Sequence, residues 1–237
     1  VGVSNKNFFA IDYKTGKVAW NLIGDAPINS SAVITGNRRL VFTSELGTLY
    51  GYDITTKKEQ TEPKWKNTIG EIITRAPAID NKYHLYFGTD TGNVIKIALN
   101  EDGTVTKLWS SKIGSGIKTS PVIDAEGAIY VGNDNGELVK LDSATGNIIW
   151  KFPTGAAIKS TPSISEYGTI YVANMNGTIY AVKTDKTLRW KYQADAPISS
   201  NLLYINSAIY VGSEGGKLIS LYDNVLTNTV NTSLAIS

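Results

Sequence analysis

The residue types that most often carry chemistry are sparse in this chain and poorly spaced for it. Its 237 residues include no cysteine and one histidine, His84. Thiolate nucleophiles, thiolate metal sites and disulfide frameworks are therefore excluded. His84 follows Tyr83 at the opening of an apolar segment, and no nearby residues form a triad signature. Its position predicts a strand-end residue. Asp90-Thr91-Gly92 and Asp134-Asn135-Gly136 look like fragments of calcium loops, but neither has the full spacing with a terminal glutamate. Both read as turns. No repeated carboxylate pair has an acid/base arrangement. The reading is a non-enzyme with no catalytic, cofactor-binding or metal-ligating residues.

A polar set does recur. Asn29, Thr74, Lys118, Lys159, Ser199 and Asn231 hold one aligned position, followed by Ser30, Arg75, Thr119, Ser160, Ser200 and Thr232. The set is rich in hydroxyls and amides, with three cations and no acid. Asn29, Thr74, Arg75, Lys118, Lys159, Ser199 and Asn231 are the candidate binding residues; fold analogy, and nothing in their spacing, would place them at the mouth of a central channel. The plainer function for the set is to hydrate that channel and satisfy its backbone.

What positions this set is a repeat. Trp20, Trp65, Trp109, Trp150 and Trp190 recur at steps of 45, 44, 41 and 40 residues. A period near 40 residues with about four strands per unit marks a propeller blade. Each unit opens with a segment such as Asn29-Ser-Ser-Ala-Val-Ile34 or Lys118-Thr-Ser-Pro-Val-Ile123. A second strand is apolar and β-branched or aromatic, as in Ile129-Tyr-Val-Gly132 and Ile170-Tyr-Val-Ala173, which suits burial on both faces. Tyr86, Tyr130, Tyr171 and Tyr210 share a position on it and are expected in the core. A glycine turn follows at Gly47, Gly92, Gly136, Gly177 and Gly216; Asn135-Gly136 and Asn176-Gly177 are hairpin signals. The third strand alternates and the fourth carries the tryptophan.

Both ends fit the template. Val1-Gly2 aligns with Val131-Gly132, and Asn231-Thr-Ser-Leu-Ala-Ile236 aligns with Lys118 to Ile123. The fold class is therefore all-β, a six-bladed β-propeller of four-stranded antiparallel blades whose C-terminal strand closes the first blade. Closure would leave no exposed sheet edge at the seam. The single domain spans 1–237, with blades around 1–25 plus 231–237, 26–70, 71–114, 115–155, 156–195 and 196–230. The rival pairing makes the C-terminal segment the outer strand of the sixth blade and leaves the ring open. The chain opens directly in strand-like sequence and reads as part of something longer.

Ala10-Ile-Asp12-Tyr-Lys-Thr15-Gly16-Lys-Val-Ala-Trp20 has the form A-x-D-x-x-T-G-x-x-x-W, and Leu141-Asp142-Ser-Ala-Thr145-Gly146-Asn-Ile-Ile-Trp150 repeats it with Lys140 at the alanine position. This resembles the PQQ-like repeat propellers, the quinoprotein-dehydrogenase-like family. The resemblance implies that Trp20, Trp65, Trp109, Trp150 and Trp190 dock neighbouring blades, filling the wedge between them rather than stacking sugars. The Asp and Thr-Gly should make a turn whose side chains bond nearby backbone. Quinone-dependent members use acidic and amide calcium ligands and often a vicinal disulfide, which this chain lacks, so the resemblance is to a non-catalytic member. Such members include an outer-membrane assembly scaffold and sensor domains outside bacterial kinases.

The function that follows is a binding or scaffold module, extracellular, cell-surface or periplasmic, with a protein or polysaccharide as partner. The alternative is a carbohydrate-binding adhesion module, and a quinone-dependent dehydrogenase is a third. Exposed aromatics outside the repeat, with Tyr13, Tyr192 and the loop Lys57 to Lys66 as the places to look, would favour carbohydrate. A formal charge of +2 gives no large field for nucleic acid or an anionic membrane. No apolar run reaches the ~18 residues of a spanning helix. Composition resembles that of a prokaryotic source.

Overall fold

A computed structural model describes residues 2, 5–36, 38–54, 62–100, 102–224 and 229–236. They form 22 strands in six antiparallel sheets. The chain divides into two compact units, residues 1–111 and 112–237.

In the first unit β1 (Asn7–Ile11) pairs with β2 (Val18–Ile23), and Gly2 adds an isolated bridge to Phe8. The second sheet runs β3 (Val33–Ile34), β4 (Arg39–Thr43), β5 (Thr48–Asp53), β6 (Trp65–Thr68). The third runs β7 (Ala78–Ile79), β8 (His84–Gly88), β9 (Asn93–Leu99), β10 (Val105–Lys112). In the second unit the fourth sheet holds β11 (Val122–Ile123), β12 (Ile129–Gly132), β13 (Glu137–Leu141) and β14 (Ile148–Pro153). The fifth holds β15 (Ser163–Ile164), β16 (Ile170–Ala173), β17 (Thr178–Val182) and β18 (Leu188–Gln193). The sixth holds β19 (Leu203–Ile205), β20 (Ala208–Gly212), β21 (Leu218–Asn224) and β22 (Thr229–Ile236). Each four-stranded sheet is a simple meander, the blade of a β-propeller.

The second strand of the third, fourth and fifth blades is the most buried of its sheet. Leu85, Tyr86 and Phe87, like Ile129, Tyr130 and Val131, are at most 1% exposed. Burial on both faces explains their unbroken apolar character. The glycine after each second strand has φ between 73 and 83°, a conformation that a side chain disfavours. Core clusters join consecutive sheets: Phe8 and Leu22 of the first pack with Phe42, Tyr50 and Tyr52 of the second. Tyr171 and Trp190 of the fifth pack with Ile209, Ile219 and Leu221 of the sixth.

The Asp and Thr-Gly turn forms as expected. Asp142 Oδ1 accepts the Ala144 and Thr145 amides and the Thr145 hydroxyl, and the Gly146 amide donates to the Asp142 carbonyl. Asp12 does the same with Lys14, Thr15 and Gly16. A bulge beside the tryptophan shifts the register at Ala10/Ile11, Lys140/Leu141 and Ala181/Val182.

Three expectations are corrected. The C-terminal strand does not close the first sheet: β22 pairs with β21 from Asn224↔Thr229 to Leu218↔Ile236, as the outer strand of the sixth. A hairpin partner a few residues away closes a far shorter loop than the opposite end of the chain does. The segments aligned with it are also poor strands, for only their last two or three residues pair, as in β3 and β11. The polar opening of each blade is thus a connection, not a strand. Finally, Tyr210 is 37% exposed while Tyr86, Tyr130 and Tyr171 are buried. Those three rings lie 5.8–6.0 Å from the tryptophan of their own sheet, and the sixth sheet has no tryptophan to cover Tyr210.

Candidate functional site

In a four-stranded meander, the turn between strands two and three lies at the same end as the connection entering strand one. That end of each blade carries the aligned polar set. An isoleucine anchors each connection: Ile28, Ile73, Ile117, Ile158 and Ile198 are at most 1% exposed. The next residue is the first of the polar set. Asn29, Lys159 and Ser199 are exposed, and Thr74 and Lys118 half-buried. The residue after that turns inward to serve the backbone. Thr119 Oγ1 donates to the Gly132 carbonyl at 3.1 Å and accepts the Gly132 amide at 3.0 Å. Ser30 bridges Thr43 in the same way, Ser200 bridges Gly212, and Ser160 donates to the Ala173 carbonyl. These hydroxyls pin the connection to the end of strand two. In the third sheet the position holds Arg75, which is exposed and cannot make that bridge.

In the second unit the connections also bond one another. The Ser120 amide donates to Thr161 Oγ1 at 3.2 Å, and the Thr161 amide to Asn201 Oδ1 at 2.9 Å. Within the set, the side chains of Ser30, Thr119, Ser160 and Ser200 are thus engaged with backbone. Asn231 falls in β22, and its side chain lies outside the described residues, as do residues 57–61 of the Lys57 to Lys66 loop.

The set is not free of acid once folded. The residue two before each turn glycine is Glu45, Asp90, Asp134, Met175 or Glu214, and its amide donates to the neighbouring connection at Pro27, Ile72, Gly116, Ala157 or Pro197. Asn29 Nδ2 donates to Glu45 Oε1. The third and fourth blades thus carry both signs at this end, Arg75 with Asp90 and Lys118 with Asp134, while the second and sixth carry an acid beside Asn29 and Ser199. Lys159 is the exception, because its own turn supplies Met175. Sequence reading missed these acids because they belong to a different strand pair. Their fixed offset from the aligned glycines was the available signal.

Exposed apolar residues at this end of the first unit include Ile23 at the end of β2, and Leu46 and Ile72 on the adjoining turn and connection. Leu46 and Ile72 are 57% and 46% exposed. The other sheets place Thr91, Asn135, Asn176 and Gly215 where Leu46 stands, so the exposure is particular to the second sheet. The Ile73 amide donates to the Glu45 carbonyl, which brings the two segments together. Glu71 lies between them and the third sheet. Burial would raise its carboxyl, but hydrogen bonds from Thr91 and Asn93 outweigh this and hold it low.

The tryptophans face neighbouring strands. Trp150 Nε1 donates to the Thr184 carbonyl of the fifth sheet at 3.0 Å, and Trp190 Nε1 to Asp223 of the sixth at 2.8 Å. Trp65 is buried against Gly51 and Gly103, Trp20 stacks 6.2 Å from Tyr52, and Trp109 lies 6.0 Å from Tyr86. Lys140 is also buried, its ammonium donating to the Thr184 carbonyl and lying 5.4 Å from the Tyr130 ring.

His84 is used in a turn. Its Nδ1 lies 2.8 Å from Asp80 Oδ2, which also accepts the Tyr86 hydroxyl. Asp124 makes the corresponding turn with Tyr130, with Ala128 in place of the histidine. Asp90 and Asp134 likewise sit in the turns between second and third strands. No group of three or more His, Asp or Glu side chains able to hold a metal ion occurs among the described residues. No described helix is long and apolar enough to cross a membrane. Of the aromatics outside the repeat, Tyr13 is 88% exposed, Tyr192 is partly buried, and Tyr167 is 65% exposed.

A family model described as outer membrane protein assembly factor BamB matches residues 91–224. No curated protein matches in sequence. Among solved structures, BamB from Moraxella catarrhalis is 14% identical with a TM-score of 0.78, covering 100% of this chain and 72% of its own. The computationally designed Ika8 protein is 15% identical with a TM-score of 0.81, covering 99% of this chain and 70% of its own. At these identities the likeness is one of fold.

Proposed function

The chain belongs to the family described as outer membrane protein assembly factor BamB, and from that membership we propose that it is a non-catalytic scaffold that binds a protein partner in the cell envelope. The observation that carries the reading is the family match itself, spanning residues 91–224. The placement belongs with it: periplasmic, cell-surface or extracellular, in an outer-membrane assembly context.

We assign the contact to the end of the blades that carries the connections. Protein interfaces combine a small apolar centre with a polar rim, and a few central residues supply most of the affinity. Leu46 and Ile72 supply the centre in the first unit. Asn29, Glu45, Thr74 and Arg75 supply the rim there; the second unit by itself presents Lys118, Lys159 and Ser199 at the corresponding blade ends. Exposed leucine and isoleucine cost little singly, yet Leu46 stands at a turn tip where the other sheets carry Thr91, Asn135, Asn176 and Gly215, with Ile72 on the adjoining connection, and together they mark a place for a partner. The five tryptophans serve blade docking in this reading.

The test is affinity capture from the envelope fraction of the native host, with wild-type protein and with Leu46→Asp/Ile72→Asp, each of unchanged melting temperature. A protein retained by the wild type and lost by the variant supports the assignment. Identical capture by both refutes this face. Alcohol-dependent dye reduction in the presence of pyrroloquinoline quinone and calcium would refute the non-catalytic reading.

A further inference from the structure

The opposite end of the fifth sheet holds a depression that the scaffold reading does not use. It has a volume of about 250 Å³ and is lined by Tyr167, Gly168, Thr169, Lys183, Thr184, Asp185 and Arg189. All belong to one blade. Tyr167 to Thr169 come from the turn between β15 and β16, Lys183 to Asp185 from the turn between β17 and β18, and Arg189 from β18.

The chemistry of the lining narrows what fits. Arg189 is buried and already neutralised: its Nη1 donates to Asp223 Oδ2 at 2.7 Å and to Thr169 Oγ1 at 3.0 Å. That leaves Lys183 and Asp185, whose charges cancel. A lining without net charge does not favour a phosphate or another dianion. The Asp185 carboxylate spends Oδ1 on the Thr187 amide at 2.9 Å, and a carboxylate offers about four lone-pair sites, so accepting capacity remains. Lys183 offers up to three donors on a flexible stem. Tyr167, at 65% exposure, contributes an aromatic surface at the rim that no other side chain covers well. Pockets for drug-sized ligands run to roughly 300–1,000 Å³, so this smaller depression suits a single ring.

We propose that this pocket binds one pyranose ring bearing free vicinal hydroxyls. The hydroxyls donate to Asp185 and accept from Lys183, and the C–H face of the ring lies against Tyr167. A neutral polyol needs acceptor, donor and apolar surface together, and those are the three things this lining presents.

The test is titration of the ¹⁵N-labelled full chain with methyl glycosides of glucose, galactose, mannose and N-acetylglucosamine, with inorganic phosphate in parallel. The expected result is millimolar binding of at least one glycoside, with shifts confined to residues 167–169 and 183–189. Tyr167→Ala should weaken it by ~5-fold, in line with the loss of one aromatic contact. Asp185→Asn keeps the acceptor for the Thr187 amide and should weaken binding by a similar factor. Both positions are exposed turn residues, and an unchanged melting temperature separates loss of binding from loss of fold. An oligosaccharide ending in the same sugar that binds as well as the glycoside identifies a glycan end as the source; one that does not identifies a free sugar. Absence of binding by every glycoside, binding unmoved by both substitutions, or tighter binding of phosphate would overturn the proposal.

Discussion

Asp223 is the residue whose removal should damage the second unit most. It is 1% exposed and accepts three side-chain donors: Arg189 Nη1 at 2.7 Å, Trp190 Nε1 at 2.8 Å, and the Tyr171 hydroxyl. The Arg189 side chain is itself only 2% exposed. Asp223→Ala would leave a buried guanidinium without its counter-charge, which costs roughly 3–5 kcal/mol. The indole N–H and the phenol hydroxyl would also lose their acceptor, at about 1–3 kcal/mol where no water replaces it. These losses overlap because they share one carboxylate, so we expect about 4–5 kcal/mol in total. For a chain of this length each kcal/mol moves the melting temperature by about 2–4 °C, giving a fall of roughly 8–20 °C. The assay is urea unfolding followed by tryptophan fluorescence and circular dichroism. Should the two units unfold separately, the loss belongs to the transition of residues 112–237. Asp223→Asn keeps an acceptor for Trp190 but removes the charge, and should fall between wild type and Asp223→Ala. Arg189→Met/Asp223→Leu removes both charges and should recover much of the loss, since a buried ion pair is often replaceable by apolar packing. A loss below about 1 kcal/mol for Asp223→Ala, the range of an exposed ion pair, would refute the claim that this cluster is dry and holds the fifth and sixth sheets together.

Further outcomes follow from other sites. Burial opposes ionisation of Asp25, but hydrogen bonds from Thr48, Ser44 and Tyr50 and the nearby Lys66 outweigh it and hold the carboxyl at about 2 against an ordinary 3.8. Its contribution to stability is therefore complete above pH 3.8 and is lost as pH falls towards 2; Asp25→Asn should flatten the acid limb of a stability–pH profile over that window. A Cβ on Gly51 would lie 1.9 Å from Trp65 Cε2, so Gly51→Ala should destabilise by about 1–3 kcal/mol in a thermal melt, as overpacking does. Thr119→Ala removes a buried bridge to Gly132 and should cost about 1–2 kcal/mol, whereas Ser200→Ala, at an exposed bridge to Gly212, should cost under ~0.5 kcal/mol; equal losses in urea titrations would contradict the role given to burial.

The repeat was legible because it is written in local chemistry. The glycine turns, the alternation along strands and the Asp and Thr-Gly turn follow from interactions within about a dozen residues. The tryptophans were legible through their near-constant spacing, although the partners of Trp109, Trp150 and Trp190 lie 19 to 34 residues away. Their placement in blades needs no knowledge of what packs on them. The hydroxyl at Ser30, Thr119, Ser160 and Ser200 was visible as a pattern, but its partner across thirteen or so residues was not.

What required tertiary structure was everything set by two segments meeting. The C-terminal strand carries a pattern compatible with two pairings, and the proximity of β21 decided between them. The acids at Glu45, Asp90, Asp134 and Glu214 join the polar set only because a meander brings a turn and a connection to one end of a blade. Leu46 and Ile72 read in sequence as ordinary apolar residues, and only the folded turn leaves them outside. Tyr210 shares its position with three buried tyrosines and differs because no tryptophan covers it. Periodicity and turn chemistry therefore determined the architecture by themselves, since backbone geometry repeats with the sequence. Which side chains reach a partner was decided by packing between elements, where charge, cover and neighbour differ from blade to blade.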